Sequence, residues 1–418
     1  MPTSSGKKAS IWPIFLTAFI DLLGSTFVIP VLAPLFFDPN TKIFSAGFAT
    51  VHKTQILGLL FAAYPLAQFF GAPILGALSD RVGRRKVLVV SLLGTSIGYL
   101  LNGWGVFANS LLLLFIGRII DGFTGGNMST IHSAIADVSE GEEKTKRFGM
   151  IGVFLGLGFI MGPFIGGLSS DPNLVSWFNY STPFWFQAIL SFLNLLFVIF
   201  FFPETLKEPV KSKVKFLSGI NGAIRAVNLP SLRVLLVVHF MLMFAFNMFV
   251  QFFSVYLVAK FNLNQSQIGN LFAYIGIWVA ISQGLLLRAI IKKHKPLSVL
   301  TITIVIMGIS LLALLLPHRR LDLYFVLPLV AILWGLTLPN IITFISNVAQ
   351  KNVQGEVMGV TQSNTALANV IPPVIDGFLF ALSPGMPIII AASIIFASWG
   401  LFVLYFSKAS GKATAAPI

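Results

Sequence analysis

The sequence predicts an all-α membrane protein in which twelve transmembrane helices form two pseudo-symmetric six-helix bundles. Three observations lead to this fold class. Hydrophobic residues make up 56% of the 418 residues and charged residues only 10%, whereas soluble domains carry about 25% charged residues. Twelve apolar windows recur, each near the length of about 20 residues that crosses a bilayer as a helix. The longest polar stretch separates the first six windows from the last six.

Each window is predicted to form one span. The spans are predicted at 11–36, 55–78, 87–104, 109–136, 148–169, 183–202, 234–259, 268–291, 297–316, 323–347, 357–382 and 386–407. Residues 1–203 then form an N-terminal bundle and residues 233–418 a C-terminal bundle. A lysine-rich cytoplasmic linker at 204–232 joins the two bundles.

Internal similarity between spans four and ten supports two related halves. Asn127 and Thr130 of span four recur at the same spacing in span ten, as Asn340 and Thr343. Transporters built from parallel repeats bind their substrate between the repeats, near the middle of the membrane. The sequence therefore predicts a substrate site at that level.

The formal net charge of +14 comes from the loops and does not indicate a nucleic-acid partner. Of the 28 lysine and arginine residues, 22 fall in loops predicted to face the cytoplasm, five in outer loops and one, Arg118, within a span. This positive-inside pattern predicts that both termini are cytoplasmic. Lys7 and Lys8 precede the first span, but its apolar run continues to about Phe36, too long for a cleaved signal peptide. The chain has no cysteine, which excludes disulfides and thiolate chemistry.

The loop between spans two and three carries the most specific pattern in the chain. The pattern consists of Gly76, Asp80, Arg81, Gly83 and Arg84. An ordinary basic loop would explain the arginines but not the glycines and the acid at fixed offsets. Glycine allows a tight reversal of the chain, and an aspartate at a helix end caps exposed N–H groups. The pattern resembles motif A of the major facilitator superfamily at every defining position.

The resemblance to motif A implies a cytoplasmic gate. In that family, the residue equivalent to Asp80 faces the start of span eleven. The residue equivalent to Arg84 pairs with an acid at the inner end of span four, which Asp137 matches. Together these residues would hold the cytoplasmic side closed in the outward-open state.

Span five combines several glycines with a proline in an apolar run. These residues are Gly149, Gly158, Gly162, Pro163, Gly166 and Gly167. In a soluble helix each interior glycine costs about 1 kcal/mol relative to alanine and an interior proline about 3 kcal/mol. In lipid, small residues let helix backbones approach closely, and neighbouring helices satisfy the freed carbonyl groups. The spacing resembles motif C, the antiporter motif of the drug/proton exporters in the same superfamily.

Charged residues also lie inside spans one and four. Arg118 and Asp121 are three residues apart in span four, in a segment that resembles motif B, and Asp21 lies midway along span one. A charge inside a span is costly unless it is paired or hydrated. Arg118 and Asp121 either neutralise each other on one helical face, or Arg118 pairs with Asp21, whose proton occupancy would then switch with water access. We expect Asp21 to be the principal proton-coupling acid and Asp121 the second.

Other polar side chains within the spans are candidates for contacts with protons or substrate. Asp376 in span eleven either contacts protons or substrate or faces water, and His132 in span four either packs against a helix or relays protons. The remaining candidates line a substrate cavity or hold helices together. The candidate cavity residues are Tyr64, Gln68, Asn127, His132, Asn247, Gln251, Trp334, Asn340, Gln362 and Asn364.

The resemblance covers essentially the whole chain and is strongest to the tetracycline-efflux-like subgroup of the twelve-span drug/proton antiporters. It implies a monomeric transporter of a bacterial inner membrane that exchanges a small amphipathic organic molecule for protons. A proton-coupled importer of a nutrient or metal chelate is the alternative. Two departures argue against tetracycline itself. Gly98 stands where that subgroup carries an aspartate in span three, and span nine lacks an expected acid.

Other functional classes fit the sequence poorly. No phosphate-binding P-loop is present, which argues against ATP as the energy source. No cluster of metal ligands, nucleophile triad or selectivity-filter pattern indicates an enzyme or a channel. We therefore expect no cofactor, no bound metal and no enzymatic activity.

Overall fold

Twelve helical spans dominate the computed structural model, which describes residues 11–45, 47–206, 208, 230–294, 296–349 and 354–412. Within these residues twelve helices are long and apolar enough to cross a membrane, which confirms the predicted all-α membrane fold. The predicted linker lies mostly outside the described residues.

Most spans are single helices, and spans four and eight are interrupted. The helices are α1 (Trp12–Phe37), α2 (Thr50–Val82), α3 (Arg84–Phe107), α4 (Leu111–Thr124), α5 (Met128–Asp137), α6 (Gly141–Ser169), α7 (Thr182–Phe201), α8 (Pro230–Phe261), α9 (Gln265–Ile281), α10 (Leu287–Ile291), α11 (Pro296–Ala313), α12 (Leu323–Val348), α13 (Gln354–Leu382) and α14 (Met386–Lys412). A short 3₁₀ turn, Arg320–Asp322, precedes α12.

Span four is broken by a 3₁₀ turn, Gly125–Asn127, between α4 and α5. Two adjacent glycines weaken the α-helix at this point, since each glycine is less favourable than alanine by about 1 kcal/mol. A side chain at Gly126 would also collide with the α2 backbone at Ala72. A 3₁₀ stretch within a helix often marks a functional hinge. Span eight is interrupted in a different way, by a π-helical segment, Ser282–Leu286, between α9 and α10.

The chain divides into two compact units. Unit 1 comprises Met1–Phe48, Ala63–Val214 and Asn264–Phe272, and unit 2 comprises Ala49–Ala62, Lys215–Leu263 and Ala273–Ile418. The first part of α2 therefore belongs to unit 2, and the first part of α9 belongs to unit 1.

An apolar core holds α5 in unit 1. Side chains from α1, α3, α5, α6 and α7 and from Phe202, directly after α7, form it, and all of them are almost fully buried. The core residues are Ile14, Phe15, Ala18, Leu88, Leu92, Ile131, Ala134, Ile135, Ile151, Leu195, Val198 and Phe202. Since lipid is itself apolar, close packing rather than exclusion of water stabilises such a core in a membrane. The core fixes α5 between the 3₁₀ turn at its start and Asp137 at its end.

Candidate functional site

Unit 1 contains a buried cluster of polar side chains, here called the Asp21 cluster. Its members are Asp21 on α1, Tyr64 on α2, Tyr99 on α3, Arg118 and Asp121 on α4, and Asn127 in the 3₁₀ turn. The three charged members are 8%, 4% and 2% exposed, in chain order. The structure thus brings together predicted coupling residues from spans one and four.

Arg118 lies between an acid and an aromatic ring. Its Nη1 atom is 3.8 Å from Oδ2 of Asp121, and its guanidinium carbon lies 4.7 Å from the centre of the Tyr64 ring. Among the described residues, neither Nε nor Nη1 has a hydrogen-bond partner. Arg118 is therefore attracted to Asp121 without forming a close ion pair, which leaves donors free for another group. The cation–π contact adds about 1 to 2 kcal/mol in a desolvated site.

Asp121 fits against α3 because position 98 is a glycine. A Cβ atom at Gly98 would lie 2.9 Å from the Cβ atom of Asp121 and 2.9 Å from the Gly117 carbonyl oxygen. Real Cβ atoms do not approach so closely, so a side chain at position 98 would displace Asp121. The hydroxyl of Tyr99, the next residue, interacts with the Asp121 carboxylate. The resemblance to the tetracycline-efflux-like subgroup leads us to expect an aspartate at position 98. This chain has a glycine there, and Asp121 from span four packs against it.

Asp21 has no formed hydrogen bond within the described residues, although both its oxygens are buried. The side chain of Asn127 is close enough to interact with the carboxylate, but the two groups fall short of hydrogen-bond geometry. The Asn127 side chain is fully buried, and both its amide atoms also lack partners among those residues. Unsatisfied buried polar atoms cost about 1 to 3 kcal/mol each, so this arrangement requires a functional explanation.

A second group of charged side chains, here called the Arg84 cluster, consists of Asp80, Arg84, Asp137 and Glu204. Arg84 Nε lies 3.0 Å from Oδ2 of Asp137, and the Arg84 guanidinium also contacts Asp80 at the end of α2. Its Nη1 donates to the Ser79 hydroxyl at 2.7 Å. One buried guanidinium therefore joins α2, α3 and the end of α5.

Glu204 binds the start of α3. Its carboxylate accepts hydrogen bonds from the backbone N–H groups of Arg84 at 2.8 Å and Arg85 at 3.2 Å. A negative group at a helix N-terminus is favourable because the first N–H groups have no partner within the helix. The residue before these, Gly83, has φ of 108° and lies directly beneath the Glu204 carboxylate. Only glycine adopts this backbone angle readily and leaves that space open.

The other motif A positions lie around the Arg84 cluster. A Cβ atom at Gly76 would lie 3.1 Å from the Ser129 hydroxyl oxygen on α5, so α2 and α5 pack closely there. Arg81 lies in the last turn of α2. The predicted approach of Asp80 to the start of span eleven stays a prediction, because the preceding residues 350–353 lie outside the described residues.

The motif C glycines place α6 directly against other helices of unit 1. Cβ atoms at Gly158 and Gly166 would lie 2.8 Å and 2.6 Å from backbone carbonyl oxygens of α1, and Gly162 also packs on this helix. Gly167 and the Pro163 carbonyl group meet the first turns of α9. Gly149 has open space around it.

Comparison with known proteins identifies the family. The sequence profile described as Major Facilitator Superfamily matches residues 14–373. The chain belongs to this superfamily. Similar proteins include the class H tetracycline resistance protein of Pasteurella multocida, which is 30% identical over 90% of each chain. The class E tetracycline resistance protein of Escherichia coli is 31% identical, over 87% of this chain and 86% of its own.

A further relative is the quinolone resistance protein NorA of Staphylococcus aureus, 25% identical over 95% of this chain and 96% of its own. These relatives place this major facilitator protein in the drug-efflux subgroup and make it a membrane transporter rather than an enzyme.

Solved structures share the fold. The human organic anion transporter MFSD10 aligns with a TM-score of 0.67 at 22% identity, over 96% of this chain and 100% of its own. A D-xylose–proton symporter aligns with a TM-score of 0.73 at 13% identity, over 92% of this chain and 96% of its own.

In unit 2, this major facilitator protein buries one predicted coupling acid, Asp376. Its side chain is inaccessible to solvent, and neither carboxylate oxygen has a hydrogen-bond partner among the described residues. The next residue, Gly377, accepts a hydrogen bond from the Thr54 hydroxyl on α2 at 2.9 Å. One turn further, Phe380 contacts the ring of Phe252 on α8. Asp376 therefore lies in a tightly packed region of the unit.

Several cavity candidates in unit 2 hold helices together. The Gln251 amide on α8 donates to the Asn369 carbonyl on α13 at 3.4 Å, and Asn364 of α13 donates to the Leu236 carbonyl on α8 at 3.1 Å. Asn247 and Asn340 donate to backbone carbonyls one turn earlier in their own helices, at 2.9 Å and 2.7 Å. Trp334 stacks on Phe246 with ring centres 3.5 Å apart, and Gln362 is exposed.

Two further cavity candidates in unit 1 are not members of the Asp21 cluster. Gln68 lies next to it, and His132 lies apart from it. The Gln68 amide donates to the Gly125 carbonyl at 3.0 Å and so braces the 3₁₀ turn from α2. His132 is exposed, and its ring lies 5.6 Å from that of Phe148 on α6. Its ring therefore contacts α6 at an exposed position, and its role stays a prediction.

Sequence reasoning missed Tyr99 of the Asp21 cluster, Glu204 of the Arg84 cluster, and Gln187, which lies next to the Asp21 cluster. Tyr99 and Gln187 both lie directly against Gly24 on α1, and the Gln187 amide donates to the Ile20 carbonyl at 2.9 Å. Gln187 and Asn194 are the two amide side chains of the apolar span six, and an amide in such a span was a signal for Gln187. Glu204 follows the same span and was recognisable as an acid at a helix end, although its partner was not.

Proposed function

We propose that the protein is a proton-coupled secondary transporter that exports a small amphipathic organic molecule in exchange for protons. One observation carries the proposal: Asp121 is buried beside Arg118 and Asp21 is buried in the same cluster, with carboxylate oxygens that have no hydrogen-bond partner among the described residues, in a chain of the drug-efflux subgroup. A carboxylate is stable as an ion in a membrane only when a partner or water compensates its charge. Protons therefore bind or leave when the cluster changes its access to water.

In this proposal the two clusters have separate tasks. Asp21 is the principal proton carrier. The charges of Asp121 and Arg118 influence whether Asp21 is protonated. Asp376 provides a further proton or substrate contact in unit 2. The Arg84 cluster stabilises one conformational state of the transport cycle. α5 follows directly on Asn127 and ends at Asp137, so it connects the proton site to the gate.

Transport in everted membrane vesicles tests this proposal. Vesicles that carry a pH gradient are given tetracycline, a quinolone, a lipophilic cation or an organic anion. We expect at least one of these compounds to accumulate and to dissipate the gradient measured by a pH-sensitive dye. Accumulation that survives an uncoupler, or gradient-driven uptake into intact cells, would contradict proton-coupled export. An importer is not favoured, because the drug-efflux relatives are named for resistance.

The proposed orientation places the protein as a monomer in a bacterial inner membrane with both termini in the cytoplasm. Two exposed positions test it, since the chain has no native cysteine. Ser176 lies between α6 and α7, and Glu142 lies in the first turn of α6. In intact cells an impermeant thiol reagent should label Ser176→Cys but not Glu142→Cys. Glu142→Cys should react once the cells are permeabilised, and its labelling before that step would reverse the topology.

A further inference from the structure

The amide of Asn127 and the carboxyl of Asp21 are two buried groups that each lack a partner. Both Asn127 atoms and both Asp21 oxygens are without a hydrogen bond within the described residues, and the two side chains lie within interaction range. An amide offers a donor at Nδ2 and an acceptor at Oδ1. It can therefore satisfy an ionised carboxylate through the donor and a protonated carboxyl through the acceptor.

The backbone places Asn127 where such a change of partner atom is possible. Asn127 ends the 3₁₀ turn and is not locked by any side-chain hydrogen bond to α5. Another buried amide that faces α1 is held in one orientation by a hydrogen bond. Asn194 of α7 donates to the Thr17 hydroxyl of α1 at 2.9 Å, one turn from Asp21.

Few other groups can influence Asp21. Tyr64 on α2, Tyr99 on α3, and Arg118 and Asp121 on α4 are the ionisable side chains of its cluster. The membrane parts of α6 and α7, which also pack against α1, contain no charged residue. On α5, His132 is exposed and Asp137 lies at the far end of the helix.

We propose that Asn127 is the positioning residue for proton exchange at Asp21, and that during the transport cycle its amide closes the remaining gap and pairs with the carboxyl group in either protonation state. This inference rests on the proposed role of Asp21 as the coupling acid. It assigns Asn127 to the proton site, not to the substrate cavity where the sequence pattern placed it.

Infrared titration of the purified protein in lipid vesicles tests the pairing without any substrate. The carboxyl C=O signal of Asp21 is isolated by subtracting the spectrum of Asp21→Asn. In Asn127→Leu the ionised carboxylate loses a charge-assisted hydrogen bond, which is stronger than the hydrogen bond that the protonated carboxyl loses, so the protonated form should persist to a pH about one unit higher. Asn127→Ser keeps a group that both donates and accepts, and should leave the midpoint close to that of the native protein.

Asn194→Leu is the matched control, since it removes a buried amide that faces α1 but does not reach Asp21. Its midpoint should be unchanged. If Asn127→Leu does not insert into membranes, Asn127→Asp has the same size and should convert the single titration into two steps. A midpoint that is the same in all Asn127 variants would overturn the inference.

The outcome is separable from that of the proposed function. Loss of gradient-driven transport in Asp21→Asn, together with a midpoint insensitive to Asn127, would leave the coupling acid in place and remove only the role of Asn127. Normal transport by Asp21→Asn would instead remove the coupling role itself.

Discussion

Asp21→Asn is expected to abolish pH-gradient-driven transport while substrate binding stays measurable. Asparagine keeps the shape and the hydrogen-bonding capacity of the side chain but cannot exchange a proton. The buried carboxylate of Asp21 has no formed hydrogen bond within the described residues, so its charge depends on the few groups around it. Counterflow of labelled substrate across vesicles without a gradient should persist, because exchange of substrate needs no net proton movement.

Two other acids serve as comparisons for Asp21. Asp121 lies beside Arg118 and Tyr99, so Asp121→Asn should be milder if its main effect is to compensate the arginine. Asp376→Asn changes an acid in unit 2 that has no charged partner among the described residues. Full gradient-driven transport by Asp21→Asn, with loss in either of the other variants, would move the proton site to that acid.

The twelve spans were predictable because a helix that crosses lipid needs a long apolar run, and such runs are visible in one sequence. The break in span four was not. The similar spacing after Asn127 and Asn340 predicts similar helices, yet α12 runs continuously through Asn340. The difference lies in the preceding residues, two glycines in span four and Leu338-Pro339 in span ten. Whether the glycines open the helix depends on the close approach of α2, which no local pattern shows.

The Asp21 cluster was predictable in its charges but not in its packing. Intramembrane acids and arginines are rare enough to be noticed individually. The match between Gly98 and Asp121 requires knowledge that α3 and α4 cross at these residues. The role of Glu204 is similarly non-local, because its carboxylate accepts a hydrogen bond from the backbone N–H of Arg84, 120 residues earlier in the chain.

Arg84→Ala and Asp137→Ala are expected to reduce transport and thermal stability with strongly non-additive effects. The pair is direct at 3.0 Å, and the Arg84 side chain is only 7% exposed. Removal of Arg84 leaves Asp80 and Asp137 as neighbouring acids without their shared cation. Removal of Asp137 leaves the Arg84 guanidinium in contact with Asp80 and Ser79. The backbone N–H of Arg84 also remains bound to the Glu204 carboxylate. The arginine variant should therefore be the more damaging of the two.

A double-mutant cycle measures this coupling. For a direct, partly buried pair we expect an interaction free energy of about 1 to 2 kcal/mol, equivalent to a factor of about 5 to 30. Lys146→Ala, at an exposed position in the first turns of α6, is the control and should change neither readout. Purely additive losses in the double variant would mean that the two residues act separately. Non-additive stability with additive transport rates would assign the pair to folding and leave the gate to other residues of the cluster.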